Sequence, residues 1–182
     1  ANWVSATPEV RALVLQGAGK HFTAGIDFSL IMEIVGSTAT LPEGHKQEAL
    51  RAKILGLQEA FSALERCSKP VIASVNGSCI GGGIDLITAC DIRYASDEAV
   101  FCVKEIDLAI VADIGTLQRL PPIVGEGRAR ELAMTGRRFT AKQAHAMGLV
   151  TEVFENQDSL REGVRKIAED IASKSPLTQR GI

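Results

Sequence analysis

The chain has 182 residues, 46% hydrophobic and 23% charged, the composition of a folded domain that buries roughly 70% of its unfolded surface and needs no disulfide or metal staple. Its net charge of −2 (20 basic against 22 acidic residues) and its 4% aromatic content exclude the electrostatic footprint and stacking platform of a nucleic-acid binder, and no anionic-membrane surface is expected. Apolar runs fall short of the ~18 residues that span a bilayer.

In chain order, the apolar run within Arg11–Gln16 predicts a buried strand stopped by Gly17-Ala18-Gly19. His21–Asp27 reads as a loop, and Asp27 as the N-cap of a helix over Phe28–Val35. Gly36–Gly44, with its Ser, Thr, Pro and Gly, reads as a flexible connection, and Gly36–Lys46 as a candidate mobile loop. Leu50, Ile54, Leu57, Phe61 and Leu64 recur at helical spacing within Ala49–Cys67. Val71–Val75 predicts a second buried strand closed by Asn76-Gly77, and Ser78–Ile80 then leads into Gly81-Gly82-Gly83. Ile84–Cys90 looks helical, and Ile92–Ala95 and Val100–Val103 look like short strands. Thr116–Val124 predicts a helix broken at Pro121-Pro122, Arg128–Thr135 a helix ended by Gly136, and Thr140–Met147 a helix capped by Thr140. Leu149–Phe154 reads as a strand and Ser159–Ser173 as an amphipathic helix. Alternation of helices with continuously apolar strands implies an α/β fold with a largely parallel sheet.

Cys67, Cys79, Cys90 and Cys102 stand 12, 11 and 12 apart, with no Cys-x-x-Cys pair and no clustering with His21, His45 or His145. Reduced, buried thiols of an intracellular protein are expected, not a zinc site or a disulfide framework. The first residues lack the pattern of a signal peptide.

Chemistry is densest between Val71 and Leu120. A strand runs into three glycines and a helix begins at once, so unpaired N–H groups and the positive end of the helix dipole face whatever approaches. Such a site binds an anion or stabilises an oxygen that becomes negative during reaction. The glycines lack the Lys-Ser/Thr of a phosphate loop and the spacing of a dinucleotide fingerprint. Asp85 lies in the first turn after them, Glu105 follows by 20 residues, and Asp113 sits eight further on, after the apolar Leu108–Ala112. Each has an ordinary structural explanation: Asp85 complementing the dipole, Glu105 as a solvated charge beside Lys104, Asp113 as the N-cap of the Thr116 helix. Acids in apolar strings near a helix N-terminus also acquire shifted pKa values and act as acids or bases near neutral pH.

These segments resemble the crotonase superfamily, the enoyl-CoA hydratase/isomerase family. The resemblance is carried by Phe22-Thr-Ala-Gly-Ile-Asp27, Lys69-Pro-Val-Ile-Ala-Ser-Val-Asn-Gly77, Ile80-Gly-Gly-Gly-Ile-Asp-Leu86, Cys90-Asp-Ile-Arg-Tyr94, Gly115-Thr-Leu-Gln-Arg-Leu120, Leu132-Ala-Met-Thr-Gly136 and Gly148-Leu-Val150, in order across roughly Arg11 to Ser175. It implies a crotonase-like ββα spiral core over residues 1–182 and an acyl-CoA thioester substrate with a stabilised enolate. It implies an oxyanion hole from the N–H groups of Ile26 and Gly82, with Ala24, Gly25, Gly81 and Gly83 beside the substrate. Neither metal nor redox cofactor is implied, and a homotrimer or hexamer is. Against the family the chain reads as a catalytic core truncated at both ends, without the opening strands and helix and without the C-terminal helices that complete the site and the trimer.

Hydratases of the family carry Glu at the positions of both Asp85 and Glu105. The set Asp85, Glu105 and Asp113 instead resembles the Δ3,5-Δ2,4-dienoyl-CoA isomerase branch, in which the later two acids move protons and the first remains an ionised partner. A 2-enoyl-CoA hydratase and a non-catalytic acyl-CoA-binding protein are the alternatives. The resemblance implies a mitochondrial or peroxisomal location.

Overall fold

The computed structural model describes residues 1–182. At its centre lies β2 (Val71–Val75), buried at every position. A strand buried on both faces must be covered on both, and its side chains divide accordingly. Val71, Ala73 and Val75 join the main core with Ile84, Ile87, Phe101, Leu132 and Phe139, whereas Ile72 packs with Tyr94, Leu160 and Val164.

Ahead of β2 come α1 (Asn2–Ala6), β1 (Leu13–Gln16), α2 (Phe28–Thr38) and α3 (Glu43–Glu65). After it come β3 (Ser78–Ile80), α4 (Gly82–Thr88), β4 (Ile92–Ser96), β5 (Val100–Cys102), a 3-10 turn (Glu105–Leu108), α5 (Thr116–Val124) and α6 (Glu126–Thr135). The chain closes with β6 (Phe139–Thr140), α7 (Ala141–Ala146), β7 (Glu152–Phe154), α8 (Gln157–Ser173) and α9 (Pro176–Gln179). One sheet has the order β1-β2-β4-β7, all parallel. The other has the order β3-β5-β6, with β3 parallel to β5 and β5 antiparallel to β6. Successive β2–β3–α4 and β4–β5–α5 turns thus place their first strands in one sheet and their second strands in the other. This is the α/β spiral expected of the ββα core.

Local signals explain most boundaries. Asp27 caps α2, accepting from Ser29 N–H at 2.8 Å. Thr140 and Gln143 form a reciprocal capping box on α7, and Asn156 and Ser159 form one on α8. Gly136, at φ +59, ends α6.

Two expectations need correction. Gly36–Gly44 is not a flexible connection, nor is Gly36–Lys46 a loop: α2 runs through Gly36 to Thr38 and α3 starts at Glu43. Ser37 Oγ donates to the Ile34 carbonyl and Thr38 Oγ1 to the Val35 carbonyl, supplying the end of α2. Pro42 occupies the N-cap of α3, where a missing N–H costs nothing. The prolines do not break α5, which is continuous from Thr116 to Val124. The carbonyls that lose donors to Pro121 and Pro122 belong to Leu117 and Gln118, both exposed residues, where such a loss costs less than in the core. Ser78–Ile80, given no assignment from sequence, is a strand that pairs with β5 on one side and bridges to Thr23 on the other.

Candidate active site

The glycine turn forms where β3 meets α4. Gly81 has φ +54 and ψ −119, a conformation glycine alone adopts readily. Its N–H donates to the Cys102 carbonyl at 2.9 Å, and its carbonyl accepts from Ile84 N–H at 2.7 Å, so the turn is held at both ends. Gly82 opens α4, and its N–H has no acceptor within the helix. The loop before α2 is tied alongside: Thr23 N–H donates to the Ser78 carbonyl at 2.9 Å, and Ile80 N–H to the Thr23 carbonyl at 3.2 Å. Gly25, at φ +112, then turns the chain so that Ile26 meets Gly82. A Cβ on Gly82 would lie 3.7 Å from Ile26 N and 2.8 Å from Ile26 Cγ1. The Ile26 N–H has no acceptor in the protein. Two adjacent backbone donors without partners make the arrangement that stabilises a developing oxyanion.

A cavity of about 350 Å³ opens at this point. Ala24, Gly25, Ile26, Gly81 and Gly82 line it together with Glu105 and Asp113. Apart from Lys104, the rest of the wall is apolar, with Phe28, Ile31, Ile34 and Val35 from α2, Leu50, Ile54 and Leu57 from α3, and Leu108, Ile110 and Val111 beyond Glu105. Gly83 does not line it. A Cβ there would sit 2.5 Å from Thr23 Cγ2 and 3.0 Å from Cys79 Sγ, so this glycine permits α4 to pack on β3 and the Thr23 loop.

The three acids occupy different environments. Glu105 begins the 3-10 turn after β5, and its Oε1 lies 3.4 Å from where a Cβ of Gly81 would be. Its Oε2 is buried without a partner. Burial raises its pKa, and the nearby Asp85 and Asp113 push the same way. Lys104 does not neutralise it but pairs with Asp107, so Glu105 is not a solvated surface charge. Asp113 is half-buried on the cavity wall. The side-chain donor that reaches this residue is Gln58 Nε2, 2.7 Å from the backbone carbonyl, which leaves the carboxylate free toward the cavity.

Asp85 is buried and lies off the cavity wall. Its Oδ1 accepts from Thr116 N–H at 2.6 Å and Thr116 Oγ1 at 2.8 Å. It therefore caps α5 from a neighbouring helix, the role that sequence reading offered to Asp113. Burial raises its pKa first, while the Thr116 bonds and the Arg119 charge oppose that rise. Crowding of carboxylates thus contributes to the raised values of Glu105 and Asp85, but desolvation is the larger cause in both.

The chain as a whole is similar to known proteins. The Enoyl-CoA hydratase/isomerase family profile matches residues 3–182. The chain belongs to that family. It is 54% identical over 175 residues to the peroxisomal Delta(3,5)-Delta(2,4)-dienoyl-CoA isomerase of Arabidopsis thaliana, covering 96% of this chain and 63% of that protein. It is 46% identical to the mitochondrial Delta(3,5)-Delta(2,4)-dienoyl-CoA isomerase of Homo sapiens, covering 97% of this chain and 54% of that one. The chain thus spans between about half and two thirds of the length of these relatives. The crystal structure of an enoyl-CoA hydratase from Bacillus anthracis, 36% identical, superposes with a TM-score of 0.82 over 98% of this chain and 65% of that one.

Within this family member the cavity wall is the part that sequence reasoning missed. Leu50, Ile54 and Leu57 were visible as part of a helical stripe, with no sign of what the stripe faces. Of the five residues of that stripe only Leu64 is buried in the core, and Leu50, Ile54 and Leu57 line the cavity. Gln58 and Thr116 carried no signal, because their partners are backbone and side-chain atoms distant in sequence. The cysteines are all free, with Cys79, Cys90 and Cys102 buried. Burial pushes the Cys90 thiol up to about 12 and the Cys79 thiol further. No three His, Cys, Asp or Glu side chains are disposed to hold a metal, and no helix is long and apolar enough to cross a membrane.

Proposed function

We propose that the chain carries the catalytic centre of a Δ3,5-Δ2,4-dienoyl-CoA isomerase acting in the oxidation of unsaturated fatty acids. One observation carries the reading: two carboxylates, Glu105 and Asp113, line the same apolar cavity, with the free Ile26 and Gly82 donors on its wall. The identities to the plant and human isomerases support it.

In a 3,5-dienoyl thioester the thioester oxygen sits on the Ile26 and Gly82 N–H groups. Glu105 stands against the glycine turn and so is nearest C2, one bond from the thioester carbon. It takes a C2 proton, and the C–H pair becomes the C2=C3 bond. The C3=C4 pair shifts to C4=C5, and the C5=C6 pair accepts a proton at C6 from Asp113, giving the conjugated 2,4-diene. One proton leaves and one arrives with no change of oxidation state, so the steps call for no redox cofactor. Charge that accumulates on the oxygen in between is stabilised by donors already in place. Burial of Glu105 raises its affinity for the proton it must take, which suits a base working near neutrality. The apolar walls keep water from the delocalised anion.

A hydratase would require the carboxylate at position 85 to face the substrate beside Glu105. Asp85 is instead committed to Thr116, which favours isomerisation. We further propose a peroxisomal or mitochondrial location, supported by the names of the relatives, and assembly as a trimer or hexamer, supported by the exposed Met32 and Met134. Absorbance of 3,5-dienoyl-CoA followed beside hydration of crotonyl-CoA tests the function. Conversion of the diene with little hydration is expected, and the reverse ratio overturns the reading.

A further inference from the structure

Residues 109–115, which carry Asp113 past the cavity, form neither helix nor strand. The segment is fixed at its start by Ile110 N–H donating to the Glu105 carbonyl at 3.1 Å. Further along, its anchors lie on one face of α3, at Gln58, Ser62 and Glu65. Gln58 Nε2 holds the Asp113 carbonyl at 2.7 Å. Ser62 Oγ and Glu65 Oε2 hold Arg119, at 2.8 and 2.9 Å from Nη2, and Arg119 in turn reaches the Ile114 carbonyl at 3.4 Å. Gln58 is thus the direct link between α3 and the residue that presents the carboxylate.

Resting on the isomerase reading, we propose that Gln58 is the positioning residue of the C6 proton step, setting Asp113 relative to Glu105 and to the acyl cavity. The same helix supplies Ile54 and Leu57 to the cavity wall, so the acyl chain and Asp113 are referenced to one rigid element. Loss of the bond leaves Asp113 on a segment tethered only through its flanks. The Glu105 step at C2 does not depend on it, because Glu105 is placed by β5 and the glycine turn.

This separates two rates that a general loss of structure would lower together. In the intact protein, Gln58→Met keeps length and removes the donor. It is expected to lower kcat on 3,5-dienoyl-CoA roughly 10- to 100-fold, the scale of a small misplacement of a reacting group. KM, and C2 deuterium exchange of a saturated acyl-CoA in D2O, should stay within about twofold of the parent. If Gln58→Met does not fold, Gln58→Glu, which keeps size and cannot donate when ionised, is expected to give the same split. Unchanged diene turnover overturns the inference. A fall in C2 exchange that matches the fall in turnover also overturns it, since Gln58 would then act only on the structure as a whole. A parent protein that does not convert the diene overturns the isomerase reading itself, and so is distinct from an active parent with an equally active variant.

Discussion

Two apolar stretches of similar composition meet different fates. Val71–Val75 is buried at every position, whereas along α2 Phe28 and Met32 remain 62% and 67% exposed, and Ile31, Ile34 and Val35 line a cavity. The contrast extends to the polar groups. Around the sheet, the buried hydroxyls of Ser74 and Ser96 lack partners, but these are neutral groups whose desolvation costs little beside that of a charge. Around the cavity, the unpartnered group is a carboxylate oxygen of Glu105, next to two backbone donors that point at nothing. The sheet is packed for stability. The cavity holds unsatisfied groups that a substrate would satisfy.

Substitutions on the two sides should therefore fail in different ways. The largest effect is expected at the cavity. Asp113→Asn should lower diene isomerisation by about 10² to 10⁴, the usual weight of a general acid or base, with an unchanged melting temperature. Full turnover in that variant would remove Asp113 from the reaction. In the sheet, Ile72→Ala should cost about 2–5 kcal/mol, read as a fall of roughly 5–15 °C in melting temperature. The folded fraction should keep the parent kcat, and a selective loss of activity would blur the division between the two regions. Gly82→Ala stands between them. Its Cβ would meet Ile26 Cγ1 at 2.8 Å, so Ile26 must move, and kcat should fall by about 10²-fold with a much smaller thermal effect.

The smallest effect has the opposite sign and sharpens the comparison most. The pKa of Glu105 is raised in the folded state. The protonated form is therefore favoured by folding, with that contribution fully present below the unfolded pKa of about 4.3 and lost as pH rises through the folded pKa. Glu105→Gln should accordingly stabilise the protein at neutral pH by about 1 kcal/mol, or about 2–4 °C. Melting curves of the two proteins should converge near pH 4, and activity should be lost. A destabilised Glu105→Gln at pH 7 would mean that the carboxylate serves the fold.

The motifs themselves carried much of this. Gly81–Gly83 ahead of a helix announced an anion or oxyanion site, and resemblance placed Ile26 opposite. Capping residues such as Asp27 and Thr140 announced their helices through local side-chain bonds. Where local chemistry misled, long-range partners or solvent had decided the outcome. Pro121 and Pro122 sit in a continuous helix whose would-be acceptors belong to the exposed Leu117 and Gln118, and Gly36 is helical although its composition reads as a linker.

Local signals in the sequence determined much of the order of strands and helices, because periodicity, caps and glycine turns act within a few residues, and resemblance to the family singled out the candidate acids. Local signals did not separate Asp85 from Asp113, and only the resemblance set Asp85 apart as a bystander to the proton transfers. Asp85 and Asp113 look alike in the sequence, each beside apolar neighbours and near a helix start. Folding brings Thr116 onto Asp85, satisfying that carboxylate in the interior. The carbonyl of Asp113 is drawn to Gln58, 55 residues away, and its carboxylate is left free. Burying a charge demands partners, and only the tertiary structure decides which charge finds them.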